Sequence, residues 1–379
     1  MFKKIFKKRD KEAINQTLIN NLYQTTYDRH VLISYIVTPF KVENNFLHQN
    51  YFTAHLITEA FSELGYNVDV VDFISKTEHI NYEKYQVVFG FGYNFEQSFY
   101  HKMQNNSIRI LFVTGAHEEF QNMMSLKCVE DFYQLSKLWL PSESKVLAAS
   151  TYYAMHSSDI VVILAESHIY NDFRTRFKNT LCSLNNNIIG AFAGLAPKTA
   201  ASRTANFLYL SGAYQLAKGL HILLEVVKLR SDLNFYIVLP SLNPELEEYY
   251  YEVLHKRKNV FLFKNIRMDS VEMREIIEKC SYTLSPSYVD GLPGGTIEPM
   301  SAGLIPIVSK YCGFAKKDFI FEMDELTIDC LMQNIEAVLA LSDEYYLQSS
   351  NKVKNYTLEN FSVASVKDSF KKIMTENLR

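Results

Sequence analysis

Short apolar runs rich in Val, Ile, Leu and aromatic residues recur along this chain, separated by segments long enough to hold helices. After a polar lead, His30-Val-Leu-Ile-Ser-Tyr-Ile-Val37 predicts a buried strand, Tyr51 to Leu64 a helix ended by Gly65, and Val68-Asp-Val-Val-Asp-Phe73 the next strand. This is a β-α-β unit, since two parallel strands need a crossover between them. Further strands are expected at Val87–Gly90, Arg109–Val113 and Ile160–Leu164. A second cycle opens at Asn206–Ser211, passes through a helix from near Gly219 to Leu229, and returns at Phe235–Leu239. It continues at Val260–Phe263, Tyr282–Ser285 and Ile305–Val308. The alternation is that of parallel sheets covered on both faces, so the expected fold class is α/β with two doubly wound halves.

The length of 379 residues exceeds one comfortable core and points to two domains. The small-residue stretch Gly194-Leu-Ala-Pro-Lys-Thr-Ala-Ala-Ser-Arg203 separates the cycles. The expected division is a polar and basic lead over 1–29, a first domain over 30–195, a second over 204–350, and a closing amphipathic helix within 355–379. A net charge of −3 gives no basic stripe for nucleic acid. The five cysteines, Cys128, Cys182, Cys280, Cys312 and Cys330, lack metal-finger spacing and read as reduced thiols of a cytoplasmic protein. No apolar run is long enough to cross a membrane. Residues 1–9 carry five basic side chains interleaved with Phe2, Ile5 and Phe6. They read either as a frayed, solvated end or as a peripheral contact with the inner face of an anionic membrane.

Four of the thirteen glycines fall in Asp290-Gly-Leu-Pro-Gly-Gly-Thr-Ile-Glu298-Pro-Met-Ser-Ala-Gly303. A loop containing Gly291, Leu292, Pro293, Gly294, Gly295 and Thr296 can bring backbone N–H groups close to an anion, and the helix that follows adds the positive end of its dipole. The flanking carboxylates of Asp290 and Glu298 would repel phosphate and are better suited to accept hydrogen bonds from hydroxyl groups. A ligand with a diphosphate and several hydroxyls, such as a nucleotide sugar, satisfies both. Each residue also has a plainer reading: Asp290 as turn chemistry, Glu298 as a helix-dipole partner.

The pattern Asp290, Gly291, Pro293, Glu298, Met300, Gly303, Pro306 resembles the donor-binding signature of the retaining GT-B glycosyltransferases of family 4. The family's first residue is usually Glu, so Asp290 is one methylene short. Pro299 replaces a helix former and is tolerable in a first helical turn. A second segment, Leu210-Ser-Gly212-Ala-Tyr-Gln-Leu-Ala-Lys218-Gly219, resembles the family's phosphate-contacting strand-to-helix turn, with Ala213 where an Arg is common. The resemblance implies two Rossmann-like domains around a cleft, and a terminal helix that crosses back to the first domain. It also implies transfer of a sugar from a nucleoside-diphosphate donor to a glycan, glycolipid or protein hydroxyl, without a metal or other cofactor. In that reading Glu298 holds ribose hydroxyls, Asp290 meets donor-sugar hydroxyls, and Lys218, Gly212 and the Gly294–Thr296 backbone meet the diphosphate.

In the first domain, His117 follows the strand Phe112-Val-Thr and is the expected first-domain contact to the donor sugar; Asp290, Lys218 and His117 are thus the candidate catalytic residues. The loop Asn44–Asn50 stands where relatives carry a glycine-rich acceptor loop, and it has no glycine. Glu118 and Glu119 read as acid/base groups or as a solvated helix start. The chain has no Asp-x-Asp triplet, Gly-x-Ser-x-Gly elbow or Walker loop. The alternatives are a degenerate GT-B binding or scaffold subunit and another GT-B enzyme, such as a sugar-nucleotide epimerase or a phosphorylase.

Overall fold

The computed structural model describes residues 17–147 and 151–378, apart from Asn45, Leu47 and the side chain of Tyr152. The basic segment 1–9 lies outside the described residues. The strands β1 (Leu18–Ile19), β2 (Arg29–Tyr35), β3 (Tyr66–Asp72), β4 (Val87–Gly90), β5 (Ile108–Val113), β6 (Ile160–Ile163) and β7 (Thr180–Ser183) form one sheet in the order β1-β3-β2-β4-β5-β6-β7. A second sheet joins β8 (Asn206–Leu210), β9 (Asn234–Leu239), β10 (Val260–Lys264), β11 (Tyr282–Ser285), β12 (Ile305–Ser309) and β13 (Phe321–Met323) in the order β10-β9-β8-β11-β12-β13. All neighbouring strands run parallel except the β1–β3 pair at one edge.

In each half the chain builds outward on one side of its starting strand and then crosses to the other side, from β3 to β4 and from β10 to β11. Such a reversal leaves a crevice beyond the carboxyl ends of the two strands that flank it, because their loops diverge in opposite directions. The central strands are apolar at nearly every position because both faces are covered: β4, β6, β11 and β12 are buried throughout. The strands that sequence patterning does not anticipate, β1, β7 and β13, are short and lie in or near the sheet edges, where polar or half-exposed residues dilute the signal.

The helix Asn50–Glu63 buries Thr53, Ala54, Ile57, Ala60 and Phe61 on one stripe and ends before Gly65, whose φ is +83°. On its outer side lies the closing helix Val363–Asn377, which inserts Val366, Phe370 and Met374 into the core of the first half. Phe370 packs edge-on against Phe61 at 5.5 Å and Phe89 at 5.4 Å, and Lys367 reaches Glu59 at 3.2 Å and Glu63 at 2.9 Å. The helix Val363–Asn377 thus packs on the first half although it follows the second in sequence. The two halves also meet through the helix Glu118–Ser136. Its Phe132 lies edge-on to Tyr249 at 5.4 Å, and its Asp131 accepts a 2.8 Å hydrogen bond from the Tyr288 hydroxyl.

Candidate functional site

A cavity of about 500 Å³ lies between the two sheets, at the carboxyl ends of their strands. Its second-half wall includes the turns after β8 and β11, the two strands that flank the order reversal, together with residues at or after the ends of β9 and β10 such as Pro240 and Asn265. Gly212, Lys218, Asp290, Gly291, Pro293, Gly294, Gly295 and Glu298 all line it. Two sequence segments about 70 residues apart are thereby brought to one surface, as sheet topology requires of neighbouring strands.

Lys218 and Asp290 form an ion pair through Nζ and Oδ2, with side chains 18% and 17% exposed. Local structure fixes both partners. The Lys218 N–H donates to the Tyr214 carbonyl at 3.1 Å, and the Tyr209 hydroxyl donates to the Lys218 carbonyl at 3.2 Å. The Ala217 carbonyl accepts from the Tyr288 N–H at 2.9 Å, which ties this turn to the loop that delivers Asp290. Asp290 is held from below by its own N–H, which donates to the Tyr311 carbonyl at 2.9 Å, and its Oδ1 accepts from Gly291 N at 3.1 Å.

Glu298 is fully buried. Its Oε1 accepts a hydrogen bond from the Ile189 N–H, while Oε2 is buried with no partner among the described residues. Burial is the main cause that pushes this carboxyl up to about 8, with the backbone donors opposing it. A protonated Glu298 both donates and accepts, which suits a partner hydroxyl. Pro299 lies inside the helix Gly294–Met300 rather than in its first turn. It removes one backbone donor, and the helix stops one residue later.

The glycines of this loop are needed for contacts within the protein. A Cβ on Gly291 would sit 2.7 Å from the Thr114 carbonyl oxygen and 2.9 Å from that of Leu164, and one on Gly294 would overlap the Gln49 side chain. At Gly291 the two halves therefore touch at bare backbone, and a side chain there would prise the cleft open, whereas one at Gly294 would have to displace the Gln49 side chain.

Three expected site residues are placed elsewhere. Leu292 is buried beneath the loop, its N–H donating to the Cys312 carbonyl at 2.9 Å and its carbonyl accepting from Asn186 at 2.9 Å. Thr296 is buried, and its N–H donates to the Pro293 carbonyl at 2.9 Å, so it is already committed within the turn. His117 does not line the cavity. It caps the helix Glu118–Ser136, its Nδ1 accepting from Glu119 N at 3.3 Å, and its fully buried ring packs against Phe173 at 5.2 Å and His156 at 5.4 Å. Burial lowers its basicity, as expected of a neutral structural imidazole. The neighbouring residue Thr114 reaches the cavity instead. Glu118 accepts from the Thr151 hydroxyl, and Glu119 pairs with Arg176 at 2.6 Å.

Sequence reasoning missed Lys145 and underused His48 and Gln49, all of which line the cavity. His48 and Gln49 belong to the Asn44–Asn50 loop, whose Phe46 carbonyl accepts from Met268 N at 3.2 Å across the cleft. Lys145 sits in a polar stretch with no motif, so only the fold reveals it. Among the described residues no group of three or more His, Cys, Asp or Glu is placed to hold a metal, and no helix is long and apolar enough to cross a membrane.

Residues 195–317 match the family model of the glycosyl transferases group 1, a span that includes the cavity-lining turns after β8 and β11. Comparison with curated proteins gives no match. Among solved structures, the fold is similar to sucrose-phosphate synthase from Thermosynechococcus elongatus, with TM-score 0.59 and 13% identity over 93% of this chain and 99% of that one. It is also similar to WaaG, a glycosyltransferase involved in lipopolysaccharide biosynthesis, with TM-score 0.51 and 12% identity over 91% and 99%. TarM gives TM-score 0.53 and 14% identity over 76% of this chain, which spans 54% of TarM. The chain has the two-domain GT-B fold of these glycosyltransferases, and its second half carries the glycosyl transferases group 1 sequence.

Proposed function

We propose that this protein transfers a sugar from a nucleoside-diphosphate donor to an acceptor hydroxyl, with retention at the anomeric carbon. The observation that carries this reading is the convergence of Lys218, Asp290 and the unpartnered Glu298 Oε2 on one cavity between two α/β halves. Glu298 would take ribose hydroxyls, Asp290 hydroxyls of the donor sugar, and Lys218 the diphosphate, helped by Gly212 and the Gly294 and Gly295 backbone at a helix start. When the donor enters, Lys218 exchanges part of its pairing with Asp290 for phosphate oxygen, which frees Asp290 for the sugar.

In the transfer step the bond from the anomeric carbon to the diphosphate oxygen breaks, and the acceptor oxygen forms its bond on the same face. The acceptor proton passes to a donor phosphate oxygen. The protein's task is to stabilise charge on the departing diphosphate, and no protein nucleophile is required. The acceptor is a glycan, glycolipid or protein, reached at the cytoplasmic face of the membrane, and transfer proceeds without a metal. A GT-B binding or scaffold subunit is the second reading, favoured by Ala213 and by a Lys218 whose charge is offset by Asp290.

The test is incubation with UDP-, GDP- and ADP-sugars, a mixed panel of sugar, lipid and peptide acceptors, and a chelator. The product's anomeric configuration is then read by NMR. A new glycoside with the donor's configuration is expected. An inverted product removes the retaining mechanism, loss of turnover with the chelator removes metal independence, and tight nucleotide binding without turnover favours the scaffold reading.

A further inference from the structure

Two lysines and no arginine line the cavity among the described residues, Lys218 from the second half and Lys145 from the first. Lys218 is paired with Asp290, so together they bring no net charge to a ligand that carries several negative charges. The wall at Ala213, directly after Gly212, is uncharged. Charge for a departing diphosphate must therefore come from elsewhere on the cavity surface.

Lys145 is held in place from both sides of the cleft. Its carbonyl accepts from Gln121 Nε2 at 3.2 Å and from Ser125 Oγ at 3.1 Å, two buried side chains of the helix Glu118–Ser136. Two residues earlier, the buried Glu143 accepts from the Leu216 N–H at 3.1 Å, and Ser142 accepts from Asn243 at 3.1 Å. The Leu216 contact lies two residues from Lys218, so the segment that carries one lysine is bolted to the turn that carries the other. Lys145 feels the charges of Lys218 and Asp290, and His48 feels all three, which places the four groups in one constellation. The Lys145 residue is exposed at the cavity mouth, and its enclosure by surrounding protein first and the facing Lys218 second lower the ammonium's pKa, while Asp290 opposes them. An anion lodged between the two lysines would relieve that repulsion.

We propose that Lys145 is the second cation of a diphosphate clamp, meeting from the first half the phosphate oxygens that Lys218 meets from the second. This inference rests on the donor reading above. It also makes the clamp a property of the closed cleft, since Glu143 and Ser142 position Lys145 only while they contact the second half.

The experiment is calorimetric titration of the wild-type protein, Lys145→Ala and Lys145→Arg with UDP, GDP and ADP and the matching nucleoside monophosphates. For the diphosphate that binds the wild type, Lys145→Ala is expected to raise Kd about tenfold to a hundredfold. The monophosphate should change far less, and Lys145→Arg should recover most of the diphosphate affinity. Wild-type diphosphate affinity in Lys145→Ala, or a defect confined to the KM of the acceptor, overturns the clamp and leaves the donor reading intact. Absence of any nucleoside diphosphate binding by the wild type overturns the donor reading, and the clamp with it.

Discussion

Two strand-to-helix turns meet across the cleft, one after β5 and one after β11, and they use similar parts differently. Each places a buried ionisable side chain in the helical segment that follows the strand, His117 as the cap of its helix and Glu298 within the short helix Gly294–Met300, and each leaves one polar atom of that side chain unpartnered among the described residues. Glu298 lines the cavity, whereas His117 is walled off by Phe173 and His156. An unsatisfied buried atom is thus a sign of ligand binding only where a ligand can reach it. The second half supplies the groups suited to recognition, and the first supplies contacts that close the cleft, with Lys145 and His48 as the basic side chains it adds among the described residues.

Variants can break this contrast. The largest effect is expected for Lys218→Ala, which should slow transfer by about a hundredfold to a thousandfold, the range for losing a donor to a developing oxyanion. The unfolding transition should move less than activity does, because Asp290, 17% exposed, loses its cation but lines the cavity and can be rehydrated from it. His117→Ala should do the opposite and cost about 2 kcal/mol in denaturant unfolding, through a lost helix cap and a small cavity. Its nucleotide affinity should be unchanged. A His117→Ala protein of full stability that has lost most turnover would place this ring in the chemistry and dissolve the contrast.

A smaller effect concerns pH. The Glu298 carboxyl rests near an ordinary 4.5 when unfolded and about 8 when folded, so between those values the folded protein retains a proton that the unfolded chain has released. The stability tied to this group is complete below about 4.5 and is lost as pH rises through about 8. Glu298→Gln should lack that slope, which at its steepest amounts to about 1 kcal/mol per pH unit. Parallel pH dependences for the two proteins, measured by denaturant unfolding from pH 5 to pH 8 (~3 units, within the shifted interval), would mean that the carboxyl is not held neutral.

Much of the fold was legible because its central strands are buried on both faces and read as unbroken apolar runs, such as Val87–Gly90 and Tyr282–Ser285. The edge strands were not, since Thr180–Ser183 owes its pairing to β6 rather than to its own composition. At the site, Asp290, Glu298 and Lys218 could be singled out because their spacing reflects one loop or one turn. His117 and Lys145 depend on partners remote in sequence. Phe173 and His156 bury the first, and Leu216, through Glu143, steers the second, so neither role has a local signature. The glycines illustrate a third case. Their pattern is visible, yet Gly291 and Gly294 face Thr114, Leu164 and Gln49 of the other half, which no local reading of the loop contains.

Nucleotide recognition by the second-half wall is tested most directly by titrating the protein, with chelator present, against UDP, GDP, ADP and CMP in a calorimeter, and then repeating the tightest case with Glu298→Ala. Selective binding of one diphosphate, weakened at least about tenfold in the variant, is the predicted result. No heat with any of the four, or equal affinity in both proteins, would contradict the assignment of this cavity to a nucleoside diphosphate.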